Sequence, residues 1–422
     1  MKKVYLSILF SFVAMVVCQA QNNTSPYSLV GIGDIESSYF DRSTGMANSG
    51  VSLSSNRFLY QINPASYSFL DDRFFHIELS SRFKGVGYSG QPINLAYNQS
   101  TDLQFKKIAA AIKIKPRWGL SVGLLPFSSS NYSFYAPKAI SGTSYTTNAY
   151  YEGSGGANLI YIANSFRVTD NFSVGLQSSF LFGQLQQKET IQPGLIDSML
   201  VTTKNAYLSN LHFKLGLQYK KKVNKNWNIG IGATGSVQTK IRAMYSLMVQ
   251  DGNTTIYNNY AYGNGNYAYG NYYITLPFTY TGGVSATLKD KYTFVTDYNY
   301  QSWSNLNYSG AGYSLVNSSR YSAGFEYSKK INLRNYLFER YFFQSGLYYS
   351  NSYLVMNGHQ LKDMGATVGF GFNFLNGLGM QTDLQGGTRG TISYGLIKEN
   401  YVQITLTFSY RDPWYTKVRR YD

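Results

Sequence analysis

The stretch LSNLHFKLGLQY, Leu208–Tyr219, alternates between apolar and polar residues. One face carries Leu211, Phe213, Leu215, Leu217 and Tyr219, and the other carries Asn210, His212, Lys214, Gly216 and Gln218. Successive side chains of a β-strand point to opposite faces, so one face of this segment is apolar and the other is polar. A long strand with lipid on one side and a polar lumen on the other has this pattern.

The same two-residue period returns in about fourteen segments from residue 74 onward. The last segment, YVQITLTFSYR at 401–411, repeats the pattern and is rich in aromatic residues toward its end. The chain also contains 41 Tyr, 26 Phe and 40 Gly but only 14% charged residues, a composition that favours strands and turns. The sequence therefore predicts an all-β protein, a transmembrane antiparallel β-barrel of about 14 strands over residues 74–411.

The connections between these segments alternate in length. Short turns such as KPRW, TDN, NKN and KDK alternate with longer loops at 84–102, 129–154, 184–205, 242–272 and 351–361. This alternation is typical of barrels with periplasmic turns and extracellular loops. The loop at 257–273, YNNYAYGNGNYAYGNYY, has two interpretations: a surface that captures a ligand or partner, or a flexible loop without a dedicated ligand.

The N-terminus has the features of an export signal. Residues 1–20, MKKVYLSILFSFVAMVVCQA, carry two lysines, an apolar run and a small residue, which predicts a signal peptide cleaved before Gln21. Because Cys18 is the single cysteine and lies within this signal, the mature chain is expected to contain neither disulfides nor thiol chemistry. Export and the strand pattern together predict a multi-pass protein of the outer membrane.

The formal net charge of +16 does not indicate nucleic-acid binding. The basic residues are dispersed over segment ends and the tail at 412–422, DPWYTKVRRYD, in an exported chain, so nucleic acid is excluded as a partner. Solvated turns and rims that touch anionic headgroups of outer-membrane lipid explain these residues better. The tail is expected to be periplasmic and basic.

The remaining motifs do not indicate an enzyme or a cofactor. Gly230, Gly232 and Gly235 spell G-x-G-x-x-G, but they interrupt an alternating strand instead of joining a strand to a helix, so the sequence predicts no nucleotide site. These glycines are expected to face the lumen. The three histidines are scattered without other metal-ligand residues at suitable spacing, and no local signature marks a nucleophile. We therefore predict no catalytic residue, no metal site and no cofactor.

Three polar residues of the first segment share one face. His76, Glu78 and Arg82 have the same strand parity, which predicts a polar network in the lumen.

Residues 21–73 are the one sizeable stretch outside the strands, and a barrel of this size holds water unless something fills it. Gly31, Gly33, Gly45 and Gly50 permit tight packing and unusual backbone angles in this stretch. Pro64 fixes its own φ and keeps Asn63 out of the helical region, so Asn63-Pro64-Ala65 is expected to form a rigid turn. These residues are predicted to form an N-terminal hatch, or plug, in which the turn acts either as a lever or as static packing.

The order of SPYSLVGIGD at 25–34, RSTGMANSGVSLSS at 42–55 and INPASYSFLD at 62–71 resembles the hatch of the FadL-like outer-membrane transporters. The resemblance implies passive uptake of small hydrophobic molecules, such as fatty-acid-like or aromatic compounds, through a hatch-gated barrel. Because the family also includes secretion-associated barrels, it implies an alternative as well. In that alternative, the chain is a partner-binding subunit in protein secretion or outer-membrane protein assembly.

Overall fold

The computed structural model describes residues 25–90, 98–139, 144, 146–191, 199–260, 272–310, 312–333, 336–375 and 377–413. These residues form a closed antiparallel β-barrel of 14 strands, as the sequence predicts. Each strand pairs with the next along the chain, and the last strand pairs with the first over Phe74–Ser89 and Lys398–Pro413. The predicted signal peptide lies outside the described residues.

The fourteen barrel strands are numbered in chain order, and three of them are interrupted. The strands are β1 (Phe74–Ser89), β2 (Gln99–Lys115), β3 (Trp118–Ser129 and Tyr132–Ala139), β4 (Thr146–Arg167), β5 (Phe172–Ile191), β6 (Leu200–Lys222) and β7 (Trp227–Ser236 and Thr239–Asp251). They continue with β8 (Thr254–Tyr260, Tyr272–Leu276 and Thr279–Leu288), β9 (Tyr292–Gln301), β10 (Ser318–Leu333), β11 (Tyr336–Met356), β12 (His359–Asn373), β13 (Leu378–Arg389) and β14 (Lys398–Pro413).

Short elements complete the fold. A two-residue strand, Asp34–Ile35, and the 3-10 helices Pro26–Leu29, Thr44–Met46 and Pro64–Phe69 precede the barrel. Two further 3-10 helices, Ser304–Leu306 and Ser393–Gly395, and two short strands, Ser309–Gly310 and Tyr313–Leu315, lie in connections between barrel strands. In the described part of the chain, no helix has the length and apolar character needed to cross a membrane.

Strand β6 shows which way each face points. Leu211 and Leu215 are 53% and 57% exposed on the outside, whereas His212, Lys214 and Gln218 are buried on the inside. The other strands likewise present large apolar residues outward, for example Ile160, Phe294, Leu347 and Val402. An apolar exterior around a polar interior is the arrangement of barrels that cross a bilayer.

The barrel strands are longer than the alternation predicts. Strands β4, β5 and β6 extend through much of the predicted loops 129–154 and 184–205, and β14 ends at Pro413 instead of residue 411. The predicted loop 351–361 is mostly strand, closed by a two-residue turn in which Asn357 and Gly358 have φ of 50° and 77°. Beyond the apolar band both faces of a strand are solvated, so the hydrophobic period disappears while the hydrogen-bonded ladder continues. Residues 414–422 of the predicted tail and most of the Tyr/Asn/Gly loop lie outside the described residues.

The exposed position of Leu215 gives a test of the apolar band. We expect Leu215→Lys to lower the free energy of unfolding in lipid vesicles by about 2–4 kcal/mol, because it places a charge in the middle of the lipid-facing surface. The matched change Val223→Lys, at an exposed position just beyond the end of β6, should cost no more than about 1 kcal/mol. Equilibrium denaturant unfolding measures both, and equal losses would contradict the assigned band.

Candidate functional site

The N-terminal segment, residues 25–73, runs through the barrel lumen. The backbone N–H of Ser25 donates to Asn131 O at 2.7 Å, and its hydroxyl donates to Glu399 at 2.6 Å, near the end of the barrel that carries the longer connections. Arg73 precedes β1 at the opposite end, where residues 116–117, 168–171 and 223–226 make short turns. We call these two ends the loop end and the turn end. Most of the segment is buried, and it occupies the interior between them.

Arg42 ties the middle of the segment to strands β10 and β11. Its guanidinium donates to both carboxylate oxygens of Glu326 at 2.8 and 2.9 Å and to both of Glu339 at 2.7 and 2.6 Å. The Phe58 and Phe342 rings lie 4.4 and 4.1 Å from its central carbon, measured to the ring centroids. The cation is therefore buried between two anions and two aromatic faces, a geometry that only a planar guanidinium satisfies.

Side chains of the wall also bond the backbone of the segment. The Asp297 carboxylate of β9 accepts from the N–H groups of Gly50 at 2.6 Å and Val51 at 3.0 Å. Three strands away, the Lys214 ammonium of β6 donates to Gln61 O and Ile62 O, both at 3.2 Å. These bonds replace the water that the backbone polar groups lose on burial.

The predicted Asn63-Pro64-Ala65 turn begins the 3-10 helix Pro64–Phe69. Asn63 is the N-cap: its side-chain oxygen accepts from Ala65 N at 3.0 Å, and its amide donates to Val51 O at 2.7 Å and to Leu217 O of β6 at 3.0 Å. The carbonyl of Ala65 accepts from the hydroxyls of Ser165 on β4 and Ser173 on β5. Three neighbouring wall strands thus hold the turn.

The four glycines of the predicted hatch either adopt backbone angles that favour glycine or lie close to neighbouring residues. Gly31 and Gly33 have φ of +66° and +86°, which side-chain-bearing residues rarely adopt, and a Cβ on Gly33 would overlap Ser129 O of β3. A Cβ on Gly45 would lie 2.8 Å from the Cα of Gly369 on β12, and one on Gly50 would lie 2.9 Å from the Cβ of Ser43. Two of the four therefore set backbone angles, and three permit contact.

His76, Glu78 and Arg82 all face inward on β1, but each contacts a different part of the N-terminal segment. His76 Nδ1 lies 3.0 Å from Arg57 O, and Glu78 accepts from Leu59 N at 2.9 Å while it pairs with Lys107 at 2.6 Å. Arg82 pairs with Glu36 at 2.8 Å. The structure brings these residues onto one face without hydrogen bonds among them.

Two inward-facing wall glycines at the turn, Gly175 and Gly216, were not identified as contact positions by the sequence analysis. Gly175 of β5 and Gly216 of β6 lie against Ala65, Pro64 and Asn63, and a Cβ on either would overlap the turn. Of the glycines predicted to face the lumen, Gly230 and Gly232 do so and lie against Ser52 and Val51. The prediction is wrong for Gly235, which has the opposite parity and pairs with the outward-facing Leu215 and Tyr280. The sequence feature that could have identified Gly175 and Gly216 is a glycine on the polar, inward-facing side of an alternating strand.

The barrel wall contains a seam between β2 and β3. Their ladder ends at Ile108 and Leu124, two residues before Pro126, which has no N–H to donate, and β3 is irregular between Pro126 and Ser128. Beyond this point, the edge of β3 that faced β2 pairs with the N-terminal segment, Asp34 with Ser129 and Ile35 with Ser128. The part of β2 nearer the loop end therefore has no wall strand on this side among the described residues.

Ion pairs hold the inner strand, residues 34–36, across this seam. Asp34 pairs with Arg389 of β13 at 2.7 Å, and Glu36 lies 3.8 Å from Lys106 of β2 in addition to its pair with Arg82. The seam is level with the apolar band, since Leu103 of β2 pairs with Phe83 of β1, which is exposed on the outside.

Two cavities lie beside the segment, and charged residues line part of each. The one toward the loop end has a volume of about 330 Å³, and its lining includes Glu36, Arg82, Lys84, Asp102, Arg389 and Glu399. The one toward the turn end has a volume of about 530 Å³, and its lining includes Arg57, Lys220, Lys222, Lys330 and Arg411. The described residues hold no group of three or more His, Cys, Asp or Glu side chains placed to bind a metal ion.

The main apolar cluster of the interior is filled by the chain itself. Tyr27, Val30 and Ile32 of the N-terminal segment pack there against buried wall residues such as Leu181 and Leu361. The apolar part of the lumen is thus occupied.

Comparison with known protein families shows which family the chain belongs to. The family model described as BamG matches residues 1–422, so the chain belongs to the BamG family. No curated protein sequence matches it significantly.

Solved structures share the fold at low sequence identity. The toluene transporter TbuX of Ralstonia pickettii is 15% identical with a TM-score of 0.56, over 87% of this chain and 97% of that one. A FadL homologue of Pseudomonas aeruginosa is 12% identical with a TM-score of 0.56, over 94% and 99%. The Pseudomonas putida toluene transporter TodX is 14% identical with a TM-score of 0.52, over 92% and 100%. The chain therefore has a FadL-like fold.

The contact between Gly216 and the turn can be tested by proteolysis. We expect Gly216→Ala to displace the Asn63-Pro64-Ala65 turn, because the added methyl group would overlap the Asn63 side chain. Trypsin should then cleave after Arg57, which is buried in the wild type, while the barrel keeps its heat-modifiable mobility on gels. Gly282→Ala is the control, since its Cβ would have no neighbour within 4 Å. Identical digestion of both variants would show that the contact does not position the segment.

Proposed function

We propose that this BamG-family chain is a plugged outer-membrane barrel that binds protein partners, as a subunit in the assembly or secretion of outer-membrane proteins. The observation that carries the proposal is the fixed N-terminal segment in the lumen, with Arg42 buried between Glu326 and Glu339. We assign this segment the role of a static plug. The apolar exterior places the strands in lipid, and the predicted export signal supports the outer membrane.

The energetics of the plug favour a permanent closure. Removing one partner of a buried ion pair typically costs about 3–5 kcal/mol, because an uncompensated charge remains. Movement of the plug would separate Arg42 from two carboxylates and would also break the backbone bonds to Asp297 and Lys214. A gate that opens for each transported molecule would need to recover these losses every time.

The main apolar cluster of the interior is already filled by the chain, which leaves little apolar space for uptake of a hydrophobic molecule. Small-molecule sites are mostly apolar with a few polar anchors. The loop-end cavity mixes charged residues with apolar ones such as Phe127 and Trp303, and the turn-end cavity is mainly polar and basic. Tyr27, Val30 and Ile32 fill the apolar cluster. Membership of the BamG family likewise supports assembly over uptake.

Passage of small hydrophobic molecules is the second candidate. The fold is that of the toluene transporters TbuX and TodX, and the seam between β2 and β3 lies at the level of the apolar band. In that case, the inner strand 34–36 would have to leave the β3 edge so that a molecule could cross the wall.

Purification from membranes tests the main proposal. A C-terminally tagged chain, extracted in mild detergent, should retain protein partners in stoichiometric amounts after a salt wash. We expect this because a barrel whose lumen is permanently closed would act by binding other proteins and not by passing a ligand. Quantitative mass spectrometry of proteins and lipids measures the result. A stoichiometric hydrophobic small molecule without any protein partner would reverse the ranking of the two candidates.

A disulfide across the seam separates the candidates further. Ile35 and Ser128 face each other as a cross-strand pair, so Ile35→Cys with Ser128→Cys should form a bond in a mature chain that otherwise has no cysteine. We expect partner retention to be the same in the oxidised and reduced states, because the plug does not move. Thr281→Cys with Asn299→Cys, between the paired strands β8 and β9, is the control. Uptake of a hydrophobic probe that stops on oxidation of the first pair alone would favour transport.

A further inference from the structure

The cavity at the turn end is a bowl of positive charge. It has a volume of about 530 Å³, and we define the basic bowl by four lining residues, Arg57 of the plug, Lys220 and Lys222 of β6, and Lys330 of β10. Its floor is formed by plug residues 53–58. The volume lies within the range of about 300–1,000 Å³ that is usual for binding pockets.

Most carboxylates near the bowl already have partners. Glu326 and Glu339 are bound by Arg42, and Asp170 pairs with Arg117 at 3.4 Å. Asp290 accepts from the Asn228 amide at 2.8 Å. The lining therefore keeps an excess of positive charge after its internal pairs are counted.

Among the described residues, no carboxylate forms a direct ion pair with the three lysines of the bowl, although Lys330 lies opposite Glu339 on the neighbouring strand. Lys220 donates to Ser54 O at 2.9 Å and lies 5.3 Å from the centroid of the Phe69 ring. No ion pair joins Lys222 or Lys330 to a described acidic residue, although both line the same cavity. Like charges held together in this way are unfavourable unless an anion joins them.

The direction of these side chains separates the bowl from the lipid surface. Lys220 and Lys222 share strand parity with Gln218, which is buried in the lumen, whereas Tyr219, of the opposite parity, is exposed on the outside. Headgroups of the surrounding bilayer contact the outer wall. A ligand of the bowl must therefore enter through the turn end of the lumen.

We propose that the basic bowl binds an acidic peptide segment of a soluble protein on the periplasmic side. This inference rests on the proposed function for its partner class and for the orientation of the turn end. Carboxylates of the segment would meet Lys220, Lys222 and Lys330, and the plug floor at residues 53–58 would limit how far the segment enters. Electrostatic complementarity of this kind raises association rates and decreases with ionic strength.

Binding of a labelled oligoglutamate peptide to the purified full-length chain in detergent tests the proposal. We expect binding that weakens with added salt, and no binding of oligolysine or oligoserine of equal length. The triple variant Lys220→Gln, Lys222→Gln and Lys330→Gln should bind oligoglutamate at least about tenfold more weakly. Glutamine keeps a long side chain and removes only the charge.

The matched control removes three exposed lysines from the same end, Lys115→Gln, Lys225→Gln and Lys291→Gln, and should change binding by less than about twofold. Equal weakening by both triples would show general surface attraction and would overturn the proposal, as would absence of oligoglutamate binding. Heat-modifiable mobility shows that each variant is folded.

The two measurements, partner retention and oligoglutamate binding, separate this inference from the proposed function. If protein partners are retained but oligoglutamate does not bind, the bowl proposal fails and the partner-binding role stands. If oligoglutamate binds with the expected variant effects but no protein partner is retained, the partner-binding role fails and the bowl remains an anion site.

Discussion

The backbone polar groups of residues 25–73 must find hydrogen bonds inside the barrel. This segment has only three short 3-10 helices and a two-residue strand, so regular secondary structure satisfies few of its groups. The wall supplies the rest through inward-facing side chains, such as Asp297 at Gly50 and Val51, and Lys214 at Gln61. The polar groups of the lumen are therefore placed to bond this one segment and not to hold a water-filled channel.

The same requirement explains the unusual mixture on the inner wall. Polar and charged residues occur where the plug presents backbone groups, and glycines occur where its backbone touches the wall, as at Gly175, which lies against the backbone of Pro64 and Ala65. A buried cation such as Arg42 is tolerable only because two carboxylates and the surrounding bonds compensate its loss of water. Loss of a single contact therefore leaves other buried groups unsatisfied. This coupling favours a plug that stays in place.

The sequence alone was sufficient to predict the barrel, because lipid outside and polar lumen inside impose a two-residue period that needs no alignment. It was insufficient for the strand ends, since β4–β6 continue where no lipid enforces the period. The pairing of Arg42 with Glu326 and Glu339 joins residues 284 and 297 positions apart, which no local pattern encodes. Gly216 was placed on the polar face, but its contact with Asn63 depends on how the plug turns within the lumen.

The seam connects the plug to the integrity of the wall. Where β3 leaves β2, the inner strand 34–36 takes over the free edge of β3. Release of the plug would expose that edge in addition to the edge of β2, at the level of the apolar band. Each unsatisfied backbone group in lipid costs several kcal/mol, so loss of the cover on the β3 edge at this depth would be costly. The N-terminal segment is thus part of the wall as well as its filling, and a function that leaves it in place is physically simpler than one that removes it.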